Sequence, residues 1–406
     1  MFTGWSRDFR ALMAAFAVSS FGTKVAREAV PLTAVLVLQA GPGALSLLGV
    51  AATLPVLAFG LFAGVWVDRR RRRPLMIAAD LLRFVAVVSV PIAAWCGLLT
   101  MTQLFAVVVA VAASSLIFTA ADAAYLPGLV EPERLTDANA ARETIDATAE
   151  IVGPPVGGVL VQVLTAPVAL LIDALSYLLS ALFLFRIRHA ETDAPTATRN
   201  RRTLLEITEG FRALWRDPIL RPLLFARAIR TFFGGMIGPF YVLYVVRHLG
   251  VSPAMMGVLI ACGGVAALVG AMLVSRINAR VPAGPGLIGA FAIKTAGIAL
   301  LPLAGLFPAL VIPLLILQQV LQDSVTSYFA VNERTLRQKR VANAQLGRAA
   351  ATIAVVNDGP IPLGALIAGL LAQMMSLDAV LWIGVAGYAM SPLVALLSPV
   401  RGLRKI

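Results

Sequence analysis

The chain has 406 residues, of which 59% are hydrophobic and only 14% are charged. A globule of this size cannot bury so many apolar side chains, which excludes a soluble enzyme, a disordered protein and a secreted disulfide scaffold. The formal net charge of +13 does not indicate nucleic-acid binding here, because loop arginines also set the topology of membrane proteins.

Twelve apolar segments are long enough to cross a bilayer, since a spanning helix needs about 20 apolar residues. The sequence therefore predicts an all-α membrane protein with six spans on each side of a polar stretch in the middle of the chain. The predicted spans are 11–38, 44–67, 74–98, 101–124, 142–164, 166–187, 222–246, 254–278, 286–305, 308–331, 345–373 and 376–399.

Positive charge alternates between the loops. One set of loops carries nearly all of it, and the opposite set carries almost none, with Arg247 as the exception. Because basic loops stay in the cytoplasm, we expect a multi-pass protein of the cytoplasmic (inner) membrane with both termini on the cytoplasmic side. The basic loop residues are Arg7 and Arg10, Arg69 to Arg73, Arg134, Arg186 to Arg221, Arg276 and Arg280, Arg334 to Arg340, and Arg401 to Lys405.

The chain repeats internally. The glycine- and proline-rich stretch 153–158 in the fifth span has a counterpart in Gly359-Pro360 and Gly364 of the eleventh, 206 residues later. Ala138-Asn139-Ala140 recurs as Ala342-Asn343-Ala344, 204 residues later. Because these matches keep their order and nearly constant spacing, they predict two homologous six-helix halves, an arrangement that many secondary transporters share.

The predicted boundaries follow from the repeat. Residues 1–188 form the first half, 189–220 a cytoplasmic linker and 221–406 the second half. Within the linker, apolar residues recur at helical spacing over 203–216. That pattern predicts an amphipathic helix on the inner membrane face, with a solvated linker helix as the alternative.

The loop between spans two and three carries Gly64, Asp68, Arg69, Arg72 and Arg73 in a G-x-x-x-D-R-x-x-R-R pattern. This loop resembles the corresponding motif of the major facilitator superfamily. The resemblance implies a twelve-helix transporter, not an enzyme, with no cofactor and a small-molecule substrate. It also implies that the loop is a conformational latch, in which Asp68 sits at a helix amino end and the arginines pair with acids or lipid. The alternative is that the arginines only set topology.

Other stretches resemble the secretion-effector branch of that superfamily, which includes macrolide efflux proteins and the enterobactin exporter. They are Ala79-Asp80-Leu81-Leu82-Arg83, Asp173-Ala174-Leu175-Ser176-Tyr177, and the segment 209–218. The chain also departs from this pattern. Drug–proton antiporters of the superfamily often carry an arginine in the fourth span, and residues 103–121 contain none.

Ionisable residues inside a membrane are costly and indicate function until a partner explains them. Lys24, Arg27 and Glu28 lie deep in the first span. Lys24 and Glu28 are four residues apart, so they share a helix face and are predicted to pair. We interpret Glu28 as the first-choice proton carrier. The alternatives are a static ion pair or side chains that extend to the interface. Further proton-coupling candidates are Asp122, Asp173, Asp323 and Asp358.

The second half carries its own deep cations and a group of aromatic residues. We expect these residues, together with Lys24 and Arg27, to line a substrate cavity. Arg227 and Arg230 also suit anchoring at the inner face of the membrane. Cations slightly outnumber acids across the spans, which favours neutral or anionic amphiphiles over dications. The second-half candidates are Arg227, Arg230, Phe232, Phe233, Tyr241 and Lys294.

Small and kinked positions in spans five and eleven are candidates for a gate hinge, because proline weakens the backbone hydrogen-bond ladder. The alternative is close helix packing. These candidates are Gly153, Pro154, Gly157, Gly158, Gly359 and Pro360. No motif for metal binding or ATP hydrolysis occurs.

Together these features predict a proton-coupled exporter of amphipathic small molecules that works by alternating access. Protons and membrane lipids are its other expected partners, nucleic acid is not, and we expect a monomer. Three alternatives remain open from the sequence. One is export of an endogenous siderophore-like anionic metabolite, and another is nutrient uptake by symport. The third is a membrane receptor or scaffold that transports nothing.

Overall fold

A computed structural model describes residues 5–67, 70–188, 211–212, 214–341, 352–353 and 355–404, without the side chains of 61–65 and 132. Helices account for nearly all of this part of the chain, and it contains no β-strand. The predicted all-α class is confirmed for the described residues.

The first half of the chain contains six long helices. They are α1 (Arg7–Leu32), α2 (Pro42–Val67), α3 (Arg72–Trp95), α4 (Met101–Leu129), α5 (Leu135–Leu164) and α6 (Ala166–Phe185). Helix α1 begins where the Ser6 hydroxyl accepts a hydrogen bond from the Phe9 N–H, and it continues into a π-helical turn at Thr33–Val37.

The second half repeats this layout with shorter pieces near its end. Helix α7 (Leu220–Leu243) also runs into a π-helical turn, at Tyr244–His248. The tenth predicted span consists of two helices that meet at Val325, and the twelfth consists of two helices that meet at Ala389. The remaining helices are α8 (Pro253–Arg280), α9 (Ala283–Leu306), α10 (Val311–Ser324), α11 (Thr326–Arg340), α12 (Pro360–Leu371), α13 (Leu377–Tyr388) and α14 (Met390–Leu396).

Ten helical segments of the described chain are long and apolar enough to cross a membrane, and Val355–Leu371 is a shorter apolar helix. Helix α1 has the length of a span, 26 residues, but carries Lys24, Arg27 and Glu28. The fifth span begins at Leu135, earlier than the predicted 142, and the tenth extends to Arg340. Hydropathy marks only the apolar part of a helix, so polar helical ends escape it.

The described residues of Met1–Gly41, Ala51–Arg199 and Ser252–Ala261 form one compact unit, unit 1. Inside it, α1 packs against α5 and α6, and α3 packs against α4 and α6. The buried side chains of Phe9, Met76 and Phe118 belong to its core. Unit 1 therefore surrounds the charged part of α1 with helices α5 and α6.

The described residues of Pro42–Val50, Asn200–Val251 and Cys262–Ile406 form a second compact unit, unit 2. Here α7 packs against α12, α13 and α14, and α9 packs against α10. Leu223, Phe291 and Phe329 are buried in its core. Helix α7 is thus the central helix of unit 2, as α1 is of unit 1.

Candidate functional site

Five charged side chains of α1 and α5 form an ion cluster in unit 1. The Lys24 Nζ lies 2.6 Å from Glu150 Oε2 and 3.6 Å from Asp146 Oδ1. The Arg27 Nη1 donates to Glu150 Oε1 at 2.7 Å, and its Nε donates to Glu28 Oε1 at 3.3 Å. We call Lys24, Arg27, Glu28, Asp146 and Glu150 the α1–α5 ion cluster.

Small residues bring these two helices together. A Cβ on Gly153 would lie 2.5 Å from the Lys24 Cβ, and a Cβ on Gly157 would lie 2.6 Å from the Val25 carbonyl oxygen. Asp146 and Glu150 are four residues apart, so both project from one face of α5. The glycines therefore place α5 where its acids reach the cations of α1.

The predicted pairing of Lys24 with Glu28 is wrong. Lys24 binds Glu150 and Asp146, and Glu28 binds Arg27. A carboxylate on a neighbouring helix can approach the lysine ammonium directly. The lysine side chain then does not have to bend back along its own helix. Sequence reasoning missed Asp146 and Glu150, although their spacing of four residues within the fifth span was a signal.

A second group of charges is buried between α3, α4 and α6. The Arg83 guanidinium pairs with the Asp80 carboxylate and stacks on the rings of Phe118 and Tyr177, 4.4 and 4.5 Å from their centroids. Asp173 is also buried, and its Oδ1 accepts no hydrogen bond from the described residues. We call Asp80, Arg83, Asp173 and Tyr177 the α3–α6 buried cluster.

The arginine of this cluster lies beside the fourth span, since Arg83 of α3 stacks on Phe118 of α4. The cluster also connects to α1, because the Tyr177 hydroxyl lies 3.1 Å from the Thr23 hydroxyl, next to Lys24. Asp122 of α4 is buried and pairs with Arg142 of α5. A partner thus accounts for the charge of Asp122.

Unit 2 contains a pocket with three cations. Its volume is about 100 Å³. Arg227 pairs with Glu333, the Arg230 Nη1 lies 3.4 Å from the Tyr388 hydroxyl, and the Lys294 Nζ donates to the Thr326 hydroxyl at 2.8 Å. We call this the basic pocket. It is lined by Arg227, Arg230, Ala290, Phe291, Lys294, Thr326, Phe329 and Ala330.

A family model described as Major Facilitator Superfamily matches residues 12–317. The chain belongs to the Major Facilitator Superfamily. It is therefore a membrane transporter with a small-molecule substrate, and not an enzyme.

Similar proteins include efflux transporters. The chain is 28% identical over 359 residues to the multidrug efflux pump Tap of Mycobacterium tuberculosis, covering 85% of this chain and 82% of Tap. It is 22% identical over 383 residues to macrolide efflux protein A of Streptococcus pyogenes, covering 93% and 92%. The MFS-type transporter YfiS of Bacillus subtilis is 28% identical over 269 residues, a match that spans 65% of this chain and only 63% of YfiS.

Solved structures of the superfamily share the fold at low identity. The crystal structure of the nucleoside transporter NupG superposes with a TM-score of 0.79 and 11% identity, covering 96% of this chain and 98% of NupG. At this identity the likeness concerns the fold alone.

Two close contacts between a glycine and a backbone carbonyl recur at a fixed spacing in the two parts of the chain. Gly157 packs on the Val25 carbonyl, and Gly364 packs on the Phe232 carbonyl. Both members of the second pair follow those of the first by 207 residues. In that register Lys24 corresponds to Thr231, so the cations of α1 and those of α7 are not symmetry equivalents.

The aromatic candidates of α7 do not line the basic pocket, whose aromatic walls are Phe291 and Phe329. The Phe233 ring packs on Gly387 of α13, and it meets the Phe232 ring edge to face at 5.0 Å. Tyr241 lies one turn beyond Ile237, which packs on Gly384. Phe233, which was predicted to line a cavity, therefore packs between helices, because Gly387 of α13 leaves room for its ring.

The two proton-coupling candidates of the second half, Asp323 and Asp358, interact with cations of unit 2. Asp323 is in the last turn of α10, within electrostatic reach of Lys294. Asp358 precedes Gly359 and interacts with Arg227. No described side chain caps α12, and the preceding residues 355–358 are themselves helical.

The latch candidates are only partly described. Asp68 and Arg69 lie outside the described residues, Gly64 is in the last turns of α2, and Arg72 begins α3. Arg73 donates to the carbonyl oxygens of Leu184 and Phe185 at 2.9 and 2.8 Å. Arg73 therefore binds the carboxyl end of α6, where a cation is favoured.

The hinge candidates lie in continuous or closely packed helix. Helix α5 runs through Pro154 and Pro155 without interruption, and Gly158 packs on the Pro253 carbonyl within unit 1. Gly359 and Pro360 stand at the start of α12. Most of the predicted amphipathic helix, 203–216, lies outside the described residues.

Proposed function

We propose that this transporter is a proton-coupled exporter of amphipathic small molecules in the cytoplasmic membrane. Similarity to a multidrug efflux pump and a macrolide efflux protein supports export. The observation that carries the proton coupling is the α1–α5 ion cluster, in which three acids meet two cations.

The charge balance of the cluster supports one exchangeable proton. With every group ionised, it holds one more negative than positive charge. An uncompensated charge inside a membrane protein is costly, so binding one proton neutralises the cluster. Glu28 is the first-choice carrier because its single ion-pair partner among the described residues is Arg27, whereas Glu150 binds both Lys24 and Arg27.

In this mechanism the proton and the cargo use the cluster in turn. Protonation of Glu28 removes its attraction for Arg27 and leaves the guanidinium to Glu150. The six-helix halves, 1–188 and 221–406, then alternate access around a central cavity, with the linker 189–220 between them. Asp122, Asp173, Asp323 and Asp358 are the alternative carriers. Asp173 is the strongest of these, because its buried Oδ1 lacks a hydrogen-bond partner among the described residues.

The remaining assignments belong to the same proposal. Both termini face the cytoplasm, lipids surround a monomer, and the loop of Gly64, Asp68, Arg69 and Arg72 acts as the conformational latch. Gly153 and Gly157 keep α5 close enough to α1 for the charges of the two helices to meet, and Gly158 packs α5 on Pro253. This packing is part of the gate.

One observation favours the second candidate, export of a siderophore-like anionic metabolite. The basic pocket of unit 2 presents three cations on its lining. This candidate uses the same machinery with a different cargo.

The test is cargo flux in inside-out vesicles with an acidic lumen. We expect amphipathic antibiotics or a catecholate siderophore to accumulate in the lumen, with accumulation abolished by a protonophore. Accumulation that is insensitive to the protonophore would contradict proton coupling. Proton-driven movement out of the vesicle lumen would instead establish uptake by symport.

A further inference from the structure

The basic pocket of unit 2 has an unbalanced charge. Arg227 pairs with Glu333, but within the described part of the chain Arg230 and Lys294 form no ion pair. Among the described residues, the polar partner of Arg230 is the Tyr388 hydroxyl and that of Lys294 is the Thr326 hydroxyl. Two cations in an apolar span with hydroxyl partners alone are costly, and an anion placed between them offsets that cost.

More distant charges reduce this excess without removing it. Asp323 acts on Lys294, and Asp358 and Arg337 act on Arg227. Counting these with Glu333, the described surroundings hold three acids. They face four cations, namely the three of the pocket and Arg337. The balance corresponds to one missing negative charge.

The pocket has room for a polar functional group. Its volume of about 100 Å³ exceeds the roughly 10–15 Å³ that a single water molecule requires. A carboxylate and the carbons next to it fit this space. The lining also provides apolar contacts for those carbons, from Ala290, Phe291, Phe329 and Ala330.

We propose that the basic pocket binds the carboxylate of an amphipathic monoanion, with Arg230 and Lys294 as its two ligands. Thr326 orients the Lys294 ammonium, and Glu333 pairs with Arg227, the third cation of the lining. The monoanion is a cargo of the transporter, and this identity rests on the proposed function. An anionic phospholipid offers a phosphate of similar chemistry and is the competing occupant.

The experiment compares two probes of the same shape, pyrenebutyrate and its uncharged amide. Their equilibrium binding to the full-length protein is measured at pH 7.5 in phosphatidylcholine nanodiscs and corrected with empty nanodiscs. We expect the carboxylate to bind about tenfold more tightly than the amide, since a hydrogen bond to a charged group contributes that much. Equal affinity for both probes would overturn the proposal.

Substitutions in the basic pocket test whether this pocket causes the preference for the carboxylate over the amide. Arg230→Gln and Lys294→Met should each bring the two affinities together by weakening carboxylate binding. A far-UV circular dichroism spectrum equal to that of the wild type shows that each variant remains folded. Lys294→Arg keeps the charge and should keep the preference. Arg221→Gln removes an exposed cation from the same helix as Arg230 and should also keep it. A preference that survives both Arg230→Gln and Lys294→Met would contradict the site.

Two further arms separate the possible occupants and the two proposals. Replacing a third of the lipid by phosphatidylglycerol should leave carboxylate binding unchanged. If it abolishes the preference, the pocket holds a lipid phosphate and the cargo assignment is wrong. Proton-driven transport of the uncharged amide tests the proposed function alone. Coupled amide flux without a carboxylate preference overturns only this inference, and a preference without coupled flux overturns only the proposed function.

Discussion

Gly157 of α5 lies so close to Val25 of α1 that a Cβ at residue 157 would be 2.6 Å from the Val25 carbonyl oxygen. That carbonyl belongs to the backbone and cannot rotate away. The glycine at residue 157 therefore sets the distance between the two helices that carry the α1–α5 ion cluster. The approach of the charged side chains depends on this close packing.

Gly157→Ala should push α5 away from α1. We expect a loss of about 1–3 kcal/mol of stability from overpacking, seen as a lower midpoint of thermal unfolding of the purified protein. Gly238 of α7 is the control, because a Cβ there meets nothing within 4 Å. Gly238→Ala should leave the midpoint unchanged or raise it, since alanine favours helix. Equal midpoints in the two variants would contradict the packing account.

Lys24 and Glu150 should be energetically coupled. Each single change, Lys24→Met or Glu150→Gln, leaves a charge inside the span without its closest partner, whereas the double variant removes both. We expect the double variant to be more stable than the sum of the single losses predicts, by about 0.5–3 kcal/mol. A thermal-unfolding cycle measures this, and a matched cycle with Glu143→Gln, an exposed acid of α5, should show additivity.

Arg83 should not tolerate replacement by lysine. Its guanidinium pairs with Asp80 while stacking between Phe118 and Tyr177, and an ammonium cannot reproduce the planar stacking. Arg83→Met leaves Asp80 as an uncompensated buried charge, which typically costs about 3–5 kcal/mol. We expect Asp80→Asn to restore part of the yield of folded Arg83→Met. No rescue would show that the stacking, rather than the ion pair, dominates.

The environment of Asp217, at the start of α7, predicts that the stability of the folded state depends on pH. Burial acts to raise the pKa of Asp217, but hydrogen bonds from the Leu220 and Ile219 N–H groups and the ion pair with Arg340 outweigh it and hold the pKa below its usual range. A lowered pKa stabilises the folded state at pH values above the unfolded pKa of about 3.9, and this contribution is lost as the pH falls further.

The variant that tests this is Asp217→Ala. Its unfolding midpoint should lie below that of the wild type by a constant amount above about pH 5. The difference should shrink below about pH 4 as the wild-type carboxyl takes up its proton. A difference that stays constant through the acid range would show that Asp217 acts without its charge.

The helices were predictable because a span must be apolar over most of its length. Ten of the predicted spans coincide with helices that are long and apolar enough to cross a membrane. The start of α5 was placed at 142 instead of Leu135, since the polar first turns of that helix resemble a loop. Whether the division at 189–220 marks the boundary between two halves stays a prediction.

The candidate site was harder to predict because it depends on contacts between helices. The deep charges of α1 and the cations Arg227, Arg230 and Lys294 stand out in an apolar sequence. Their partners do not, because Glu150 lies on a helix 123 residues away from Arg27. Pair assignment within one helix failed for Lys24 and Glu28 for this reason, and the role of Arg83 depended on rings from two other helices.

The central claim is that the α1–α5 ion cluster carries the exchanged proton. The most direct measurement is cargo-induced proton release from acid-loaded inside-out vesicles that contain wild type, Glu28→Gln or Glu143→Gln at equal protein levels. We predict that Glu28→Gln abolishes proton release but still binds cargo, and that Glu143→Gln behaves as wild type. Proton release that persists in Glu28→Gln would contradict this assignment of the carrier.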